Sequence, residues 1–151
     1  MRMRSRVVVI AVCAPMVLCA CKSPGARTGG TTAQSELANG REAREWLKGN
    51  ANESGLASNR FGLTANAREF VEQLYAAGAE RVIVPGSCVK DDSETIKLEG
   101  GPYADCLSVF LPKDPGKRAA VLQMCRLEIE REGFDPPDDS AADDFVFLWW
   151  D

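Results

Sequence analysis

From residue 64 onward, apolar residues recur at the spacing of two amphipathic helices. The first helix is predicted after Thr64 and ends at Gly78, because glycine is a common C-terminal stop. The second is predicted from Pro115 to about Glu132, since proline suits the first turn of a helix. The apolar faces of these helices are Ala67, Phe70, Val71 and Leu74, and Val121, Leu122, Cys125 and Ile129.

Three other stretches have the composition of strands. Residues 81–89 are rich in β-branched side chains, residues 103–111 alternate, and residues 145–150 are apolar throughout. The polar residues 90–101 predict a hairpin loop between the first two. Successive strand residues face opposite sides, so the alternating sets are Leu107, Val109 and Leu111 against Cys106, Ser108 and Phe110, and Val146, Leu148 and Trp150 against Phe145, Phe147 and Trp149.

The last stretch has two interpretations. We expect a central strand that is buried on both sides, because both of its faces are apolar. The alternative is an exposed aromatic face that docks a partner, as large apolar patches often do.

Two earlier elements complete the predicted fold. Asn39 can cap a short helix with Glu42 as its capping-box partner, and Leu56–Phe61 is a weak strand candidate. With that strand the order is β-α-β-β-α-β. The predicted fold class is therefore α+β, a small ferredoxin-like (split βαβ) sandwich of an antiparallel sheet with two main helices, plus the short N-terminal helix. Trp46 on the short helix could cover the sheet face that the main helices leave open.

The N-terminus has the pattern of a bacterial export signal. Arg2, Arg4 and Arg6 precede an apolar run over residues 7–18, which is shorter than the roughly 20 residues that span a bilayer. The run is followed by Cys19, Ala20 and Cys21.

The tetrapeptide Leu18-Cys19-Ala20-Cys21 resembles the lipobox of bacterial lipoproteins, in which an aliphatic residue and two small ones precede the cysteine that receives lipid. Cys13 and Cys19 each follow a larger residue, so Cys21 alone fits. The resemblance implies diacylglyceryl attachment to Cys21, cleavage before it and acylation of the new amine. Two or more acyl chains anchor a protein stably in a bilayer. Lys22 in place of aspartate implies the outer membrane if the cell is Gram-negative. An ordinary cleaved signal peptide is the alternative.

Composition divides the chain into three predicted parts. Residues 1–20 are the signal peptide, residues 21–40 are the lipidated cysteine and a flexible tether rich in Gly, Ser and Thr, and residues 41–151 are one domain. Without the signal peptide, 15 basic and 22 acidic residues remain, a net charge of −7. We expect no nucleic-acid partner, since neutralising phosphates needs a basic surface.

The sequence offers little for catalysis. It contains no histidine, which excludes Ser-His-Asp triads, histidine acid–base catalysis and histidine-ligated metals. There is no glycine-rich phosphate loop, and the acidic residues 135–144 lack the spacing of a calcium loop. We expect no enzymatic activity, no cofactor and no metal site.

Three cysteines remain in the predicted domain. Cys88 and Cys106 lie on neighbouring predicted strands and could form a disulfide in an oxidising compartment, with Cys125 as a buried thiol. Three reduced core thiols are the alternative. A Cα–Cα distance above about 7 Å between Cys88 and Cys106 would exclude the bond.

Together these observations predict a lipid-anchored protein of the bacterial cell envelope, at the cell membrane or outer membrane, with its domain outside the cytoplasm. The favoured role is a non-catalytic, protein-binding or structural domain that binds another envelope protein. One alternative is an immunity-type lipoprotein that neutralises a basic toxin, for which electrostatic steering would suit an acidic domain. The other is an enzyme of unrecognised type. The candidate residues of a partner surface are Trp46, Phe110, Phe147 and Trp149.

Overall fold

Four antiparallel strands form one sheet in the computed structural model, which describes residues 39–136 and 144–150. The predicted signal peptide, Cys21 and residues 22–38 of the predicted tether lie outside the described residues. The order in the sheet follows the chain, β1-β2-β3-β4, and every neighbouring pair is antiparallel. The strands are β1 (Arg41–Glu42), β2 (Arg81–Val84), β3 (Cys106–Phe110) and β4 (Phe145–Trp149).

The α+β class and the antiparallel sheet are confirmed, but the strand order is a meander and not the ferredoxin-like order. Leu56–Phe61, the predicted first strand, contributes only an isolated parallel bridge between Leu56 and Ala104. Ala57 has a φ of 41°, which is incompatible with an extended strand, and the short helix α2 (Ser58–Phe61) begins directly after it. The first strand is instead β1, which pairs with β2.

Five α-helices accompany the sheet within the described residues, and none of them is long and apolar enough to cross a membrane. The two long helices have the predicted bounds. Gly78 ends one with a φ of 110°, and the Asp114 carboxylate caps the other by accepting the Lys117 N–H. In chain order the helices are α1 (Ala43–Gly49), α2 (Ser58–Phe61), α3 (Thr64–Ala77), α4 (Ser93–Glu99) and α5 (Pro115–Arg131).

Three local details differ from the predictions. Glu42, not Asn39, caps α1, because its carboxylate accepts the Glu45 N–H. The predicted loop over residues 90–101 contains α4, which the Asp92 carboxylate caps. The chain also leaves the sheet after β2 at a proline, which has no N–H for a ladder hydrogen bond, so the predicted strand over residues 81–89 ends at Val84.

The hydrophobic core lies between the sheet and the helices α1, α3 and α5. Trp150 lies just beyond β4, and its ring is 5.4 Å from Phe61 and 6.4 Å from Phe70, both in edge-on contact. Trp46 belongs to this core too, so the expectation that it covers the opposite sheet face is wrong. The sheet residues in the core are Val82, Val84, Leu107, Val109, Val146 and Leu148.

Candidate protein-binding face

The sheet has a second face, turned away from the core, which we call the outer face. The register aligns its members across the strands: Cys106 lies opposite Trp149, and Phe110 lies opposite Phe145. The residues that alternate with them all belong to the core cluster, so these side chains point to the other side. The outer face consists of Ile83 from β2, Cys106, Ser108 and Phe110 from β3, and Phe145, Phe147 and Trp149 from β4.

Exposure on the outer face increases towards β4. Ile83 and Ser108 are fully buried, whereas the Phe147 side chain is 42% exposed. Phe145 and Trp149 are half-buried on either side of it. The accessible part of the outer face is therefore a row of three aromatic side chains along one strand.

β4 is the last strand of the sheet within the described residues, so the prediction of a central strand buried on both sides is wrong. The physical reason is topological. The core helices cover one face, and β3 is the one strand that pairs with β4 within the described residues. The side towards the core is buried as expected, with Val146 at 8% exposure and Leu148 at 2%.

The backbone of β4 also has a side that no other strand pairs within residues 39–136 and 144–150. The Leu111 N–H donates to the Asp144 carbonyl at 2.8 Å, and the Trp150 N–H donates to the Asp105 carbonyl at 2.9 Å. In an antiparallel ladder, hydrogen-bonded positions alternate. It follows that the N–H and C=O groups of Phe145, Phe147 and Trp149 point away from β3, towards an edge where no further strand lies within the described residues.

Acidic residues flank this strand in the sequence. The sequence has Asp143 and Asp144 immediately before β4 and Asp151 shortly after its end. Asp144 is exposed. The free edge of β4 therefore combines an apolar centre with negative charge in the adjoining sequence on both sides.

The four residues predicted to form a partner surface have different positions. Trp46 is only 7% exposed and lies in the core, so its assignment to a surface is wrong. Phe110 is on the outer face but is 6% exposed, and Phe145 stacks on it with ring centroids 5.3 Å apart. Phe147 and Trp149 remain accessible. Alternation along the strand pointed to Phe145 as well, although it was not among the four.

The structure contains a disulfide between Cys88 and Cys106, whose Cα atoms are 6.2 Å apart. The alternative of three reduced thiols does not hold. Cys125 is the free, buried thiol, and burial, aided by the nearby Glu128 carboxylate, raises its pKa to about 12. An Asp105 carboxylate oxygen lies within 4.8 Å of both bonded sulfurs, but sulfurs in a disulfide are not thiolates and make a poor metal site.

A shallow depression of about 340 Å³ lies beside α4. The Lys90 amine in this depression is 3.2 Å from the Asp105 carboxylate and 5.4 Å from the centre of the Tyr103 ring. Sequence reasoning missed the depression because separate segments of the chain form it. The lining residues are Ser58, Lys90, Thr95, Leu98, Glu99 and Tyr103.

Comparison of the chain with protein families, with curated proteins and with solved structures gives no match. The row of accessible aromatic side chains on β4 is the surface feature that points to a function.

Proposed function

We propose that this protein is a lipid-anchored protein of the bacterial cell envelope whose domain binds another protein and catalyses no reaction. The observation that carries the binding role is the edge of β4, where Phe145, Phe147 and Trp149 combine accessible aromatic rings with backbone groups that no strand of the described residues pairs.

Such an edge is costly to leave uncovered. Natural proteins protect exposed strand edges because unpaired N–H and C=O groups next to apolar side chains invite pairing with other chains. Aromatic side chains contribute strongly to interfaces, with about 150–250 Å² of buried area each. The core of the domain does not need these three side chains, whereas a bound partner would cover them.

Membrane attachment rests on the resemblance of Leu18-Cys19-Ala20-Cys21 to a lipobox. Acyl chains on Cys21 would hold the N-terminus of the mature chain in the bilayer. Residues 22–40, taken as a flexible linker of that length, would span about 25 Å on average. The domain would then remain close enough to the membrane to meet other envelope proteins.

The non-catalytic part of the proposal rests on the residue types available. No histidine is present anywhere in the sequence, and the Cys125 thiol is 1% exposed with a raised pKa of about 12. A thiol in that state is protonated at neutral pH and is a poor nucleophile.

Lipid labelling in the native cell tests the anchor. Cys21→Ser should abolish incorporation of labelled palmitate, prevent cleavage by the lipoprotein signal peptidase and leave the precursor at its full mass. Cys19→Ser is the matched control and should leave both steps intact. The anchor assignment fails if labelling survives Cys21→Ser and is lost in Cys19→Ser.

Site-specific photo-crosslinking tests the binding face. A benzophenone amino acid in place of Phe147 should give a discrete adduct with one envelope protein. The control replaces Leu127, which is 51% exposed on α5, on the opposite side of the sheet. Adducts at position 127 and none at position 147 would contradict the assignment of the outer face.

An immunity-type lipoprotein is the second candidate, favoured by the net charge of −7 after signal removal and by the exposed Asp144 beside β4. A basic toxin would be attracted to such a domain. In this case, loss of the gene would be lethal only in cells that carry or meet the toxin. Normal survival of the deleted strain beside toxin-producing neighbours would remove this candidate.

A further inference from the structure

We propose that the partner binds by adding an extended segment to the free edge of β4 as a fifth strand, and that this segment carries a basic residue at the end that lies beside Asp144. The inference deepens the proposed function and rests on it in one respect, namely that the partner is a protein. It concerns the mode of recognition, which the backbone geometry of β4 determines.

The backbone provides the first argument. Asp144 and Trp150 are hydrogen-bonded to the residues that flank β3. Because such positions alternate, the backbone groups of Phe145, Phe147 and Trp149 face outward. Three residues with both groups free offer about six hydrogen bonds to an incoming antiparallel strand. Strand addition of this kind gives affinity through the main chain.

The side chains provide the second argument. Residues of an added strand that project onto the outer face would lie beside Phe147 and Trp149, at cross-strand distances where aromatic and β-branched side chains pack well. The segment should therefore place Val, Ile, Thr or aromatic residues at every second position. The added strand would cover the exposed part of the Phe147 side chain, which is 42% accessible.

Charge decides between a second copy of the chain and a different protein. Two copies would repel each other, because the chain without its signal peptide has a net charge of −7 and the exposed Asp144 lies directly before β4. The same charge attracts a segment with Lys or Arg beside Asp144, so the occupant is a basic-ended strand and not a second copy.

Synthetic peptides test the proposal on the exported protein as isolated from the envelope. The first peptide alternates Val and Thr and carries two Lys at each end. The second has Glu in place of every Lys, and the third keeps the Lys but has N-methyl groups on the backbone nitrogens of all central residues, which removes N–H donors from both edges of the strand. Binding is measured by calorimetry and by the fluorescence of Trp149 and the other tryptophans.

The Lys-ended peptide should bind, and the Glu-ended peptide should bind at least about tenfold more weakly because its charges repel Asp144 and the net negative charge of the protein. Raising the salt concentration should narrow that difference. The N-methylated peptide should not bind. Equal binding of the Lys-ended and N-methylated peptides would overturn strand addition, and equal binding of the Lys-ended and Glu-ended peptides would overturn the charge requirement.

Two variants localise the binding. Phe147→Thr keeps a strand-forming residue but removes the exposed ring, and should weaken the Lys-ended peptide by about tenfold. Leu127→Ala removes an exposed apolar side chain of similar accessibility from α5 and should leave binding unchanged. Amide hydrogen exchange gives a further readout. On peptide binding, the amides of Phe147 and Trp149 should gain protection, whereas the amide of Leu148 should not, because it is already bonded to β3.

Three other outcomes would each overturn strand addition by a separate protein. A concentration-dependent dimer that Phe147→Thr abolishes would overturn the proposal in favour of a second copy. Protection of the Phe147 and Trp149 amides in the protein alone as a monomer would overturn it in favour of a segment of the same chain. If no peptide binds while crosslinking at position 147 still captures an envelope protein, strand addition is wrong and the proposed function stands.

Discussion

At the scale of single residues, Glu128 is a charged side chain that is almost fully buried. It is 5% exposed, and its carboxylate accepts hydrogen bonds from Arg60 Nε at 2.6 Å and Arg60 Nη2 at 2.8 Å. Arg131 Nη1 lies 3.4 Å away. The hydrogen bond to Glu128 is the main cause of the raised pKa of Arg60, and the pair joins α2 to α5.

Removal of that charge should be costly. Glu128→Gln leaves the partly buried Arg60 guanidinium with a neutral partner, and we expect the free energy of unfolding in urea to fall by about 2 kcal/mol. Glu72→Gln is the matched control, because Arg44 and Glu72 form the same bidentate pair with both side chains about half exposed. Its effect should stay below about 1 kcal/mol. Equal effects of the two variants would contradict a special role for burial.

The Cys125 thiol should be inert in the folded protein. At pH 8 a thiol reagent should react with it only after unfolding, because burial and a pKa raised to about 12 keep it protonated and inaccessible. Denatured, unreduced protein should then show one free thiol from the domain, since Cys88 and Cys106 are bonded. Three thiols would contradict the disulfide, and rapid reaction before unfolding would contradict the burial of Cys125.

The raised pKa of Cys125 also predicts an alkaline loss of stability. An unfolded thiol ionises near pH 9, whereas the folded one keeps its proton until about pH 12. The folded state therefore binds more protons in this window, and the free energy of unfolding falls as the pH rises through it. Tyr75, whose pKa burial raises to about 12, acts in the same direction above pH 10. Urea titrations of Cys125→Ala should show a shallower decline between pH 9 and 11 than the native protein, and an unchanged slope would contradict the prediction.

At the scale of elements, β4 has two separate tasks on its two faces. Val146, Leu148 and the adjoining Trp150 complete the core, whereas Phe145, Phe147 and Trp149 form the accessible part of the outer face. The strand is therefore both a structural element and the centre of the proposed binding face.

Substitutions on the two faces should differ sharply in their effect on stability. Trp150→Ala removes a side chain that is 1% exposed, and should lower the free energy of unfolding by about 3–5 kcal/mol. Phe147→Ala removes one that is 42% exposed and should cost about 1 kcal/mol or less. Deletion of Phe145 to Asp151 should abolish the cooperative thermal transition seen by circular dichroism. A cooperative melt in the deleted protein would show that β4 is dispensable for the core.

At the scale of the whole molecule, the segment that contains β1 contacts several other parts of the domain. Arg41 pairs with Val84, and Glu42 both caps α1 and accepts a hydrogen bond from the Tyr75 hydroxyl. Gly86 must be glycine-sized because a Cβ there would lie 2.3 Å from the Asn39 carbonyl oxygen. Asn39 therefore lies directly against the turn that follows β2.

Truncated chains test the predicted boundary between the tether and the domain. A chain that begins at Asn39 keeps β1 and should melt within about 2 °C of the longer chain, since a change below about 0.5 kcal/mol shifts the melting temperature little. A chain that begins at Ala43 loses β1 and the Glu42 cap, and its free energy of unfolding should be lower by about 1–2 kcal/mol. A large loss already at Asn39 would show that residues 22–38 pack on the domain.

Local information was enough for the elements whose residues interact mainly with near neighbours. The helical stripes and caps predict α3 and α5 within about a residue, and alternation predicts the two sides of β3 and β4. The Cys88–Cys106 pairing was open at that level, because a strand's register is not encoded in its own periodicity. The sequence did not predict α4, because its segment is polar and has no apolar face. The side-chain cap at Asp92 is the local feature that favours a helix there.

The sequence by itself determined the α+β class, the long helices, the strand faces and the resemblance at Cys21, because these depend on residue spacing along the chain. Only the tertiary structure decided which strands are neighbours. It placed β4 at an edge and left its aromatic row uncovered by the core helices, while Trp46 went into the core. The physical reason is that periodicity shows which side chains seek burial, whereas the packing of distant segments selects the faces that obtain it.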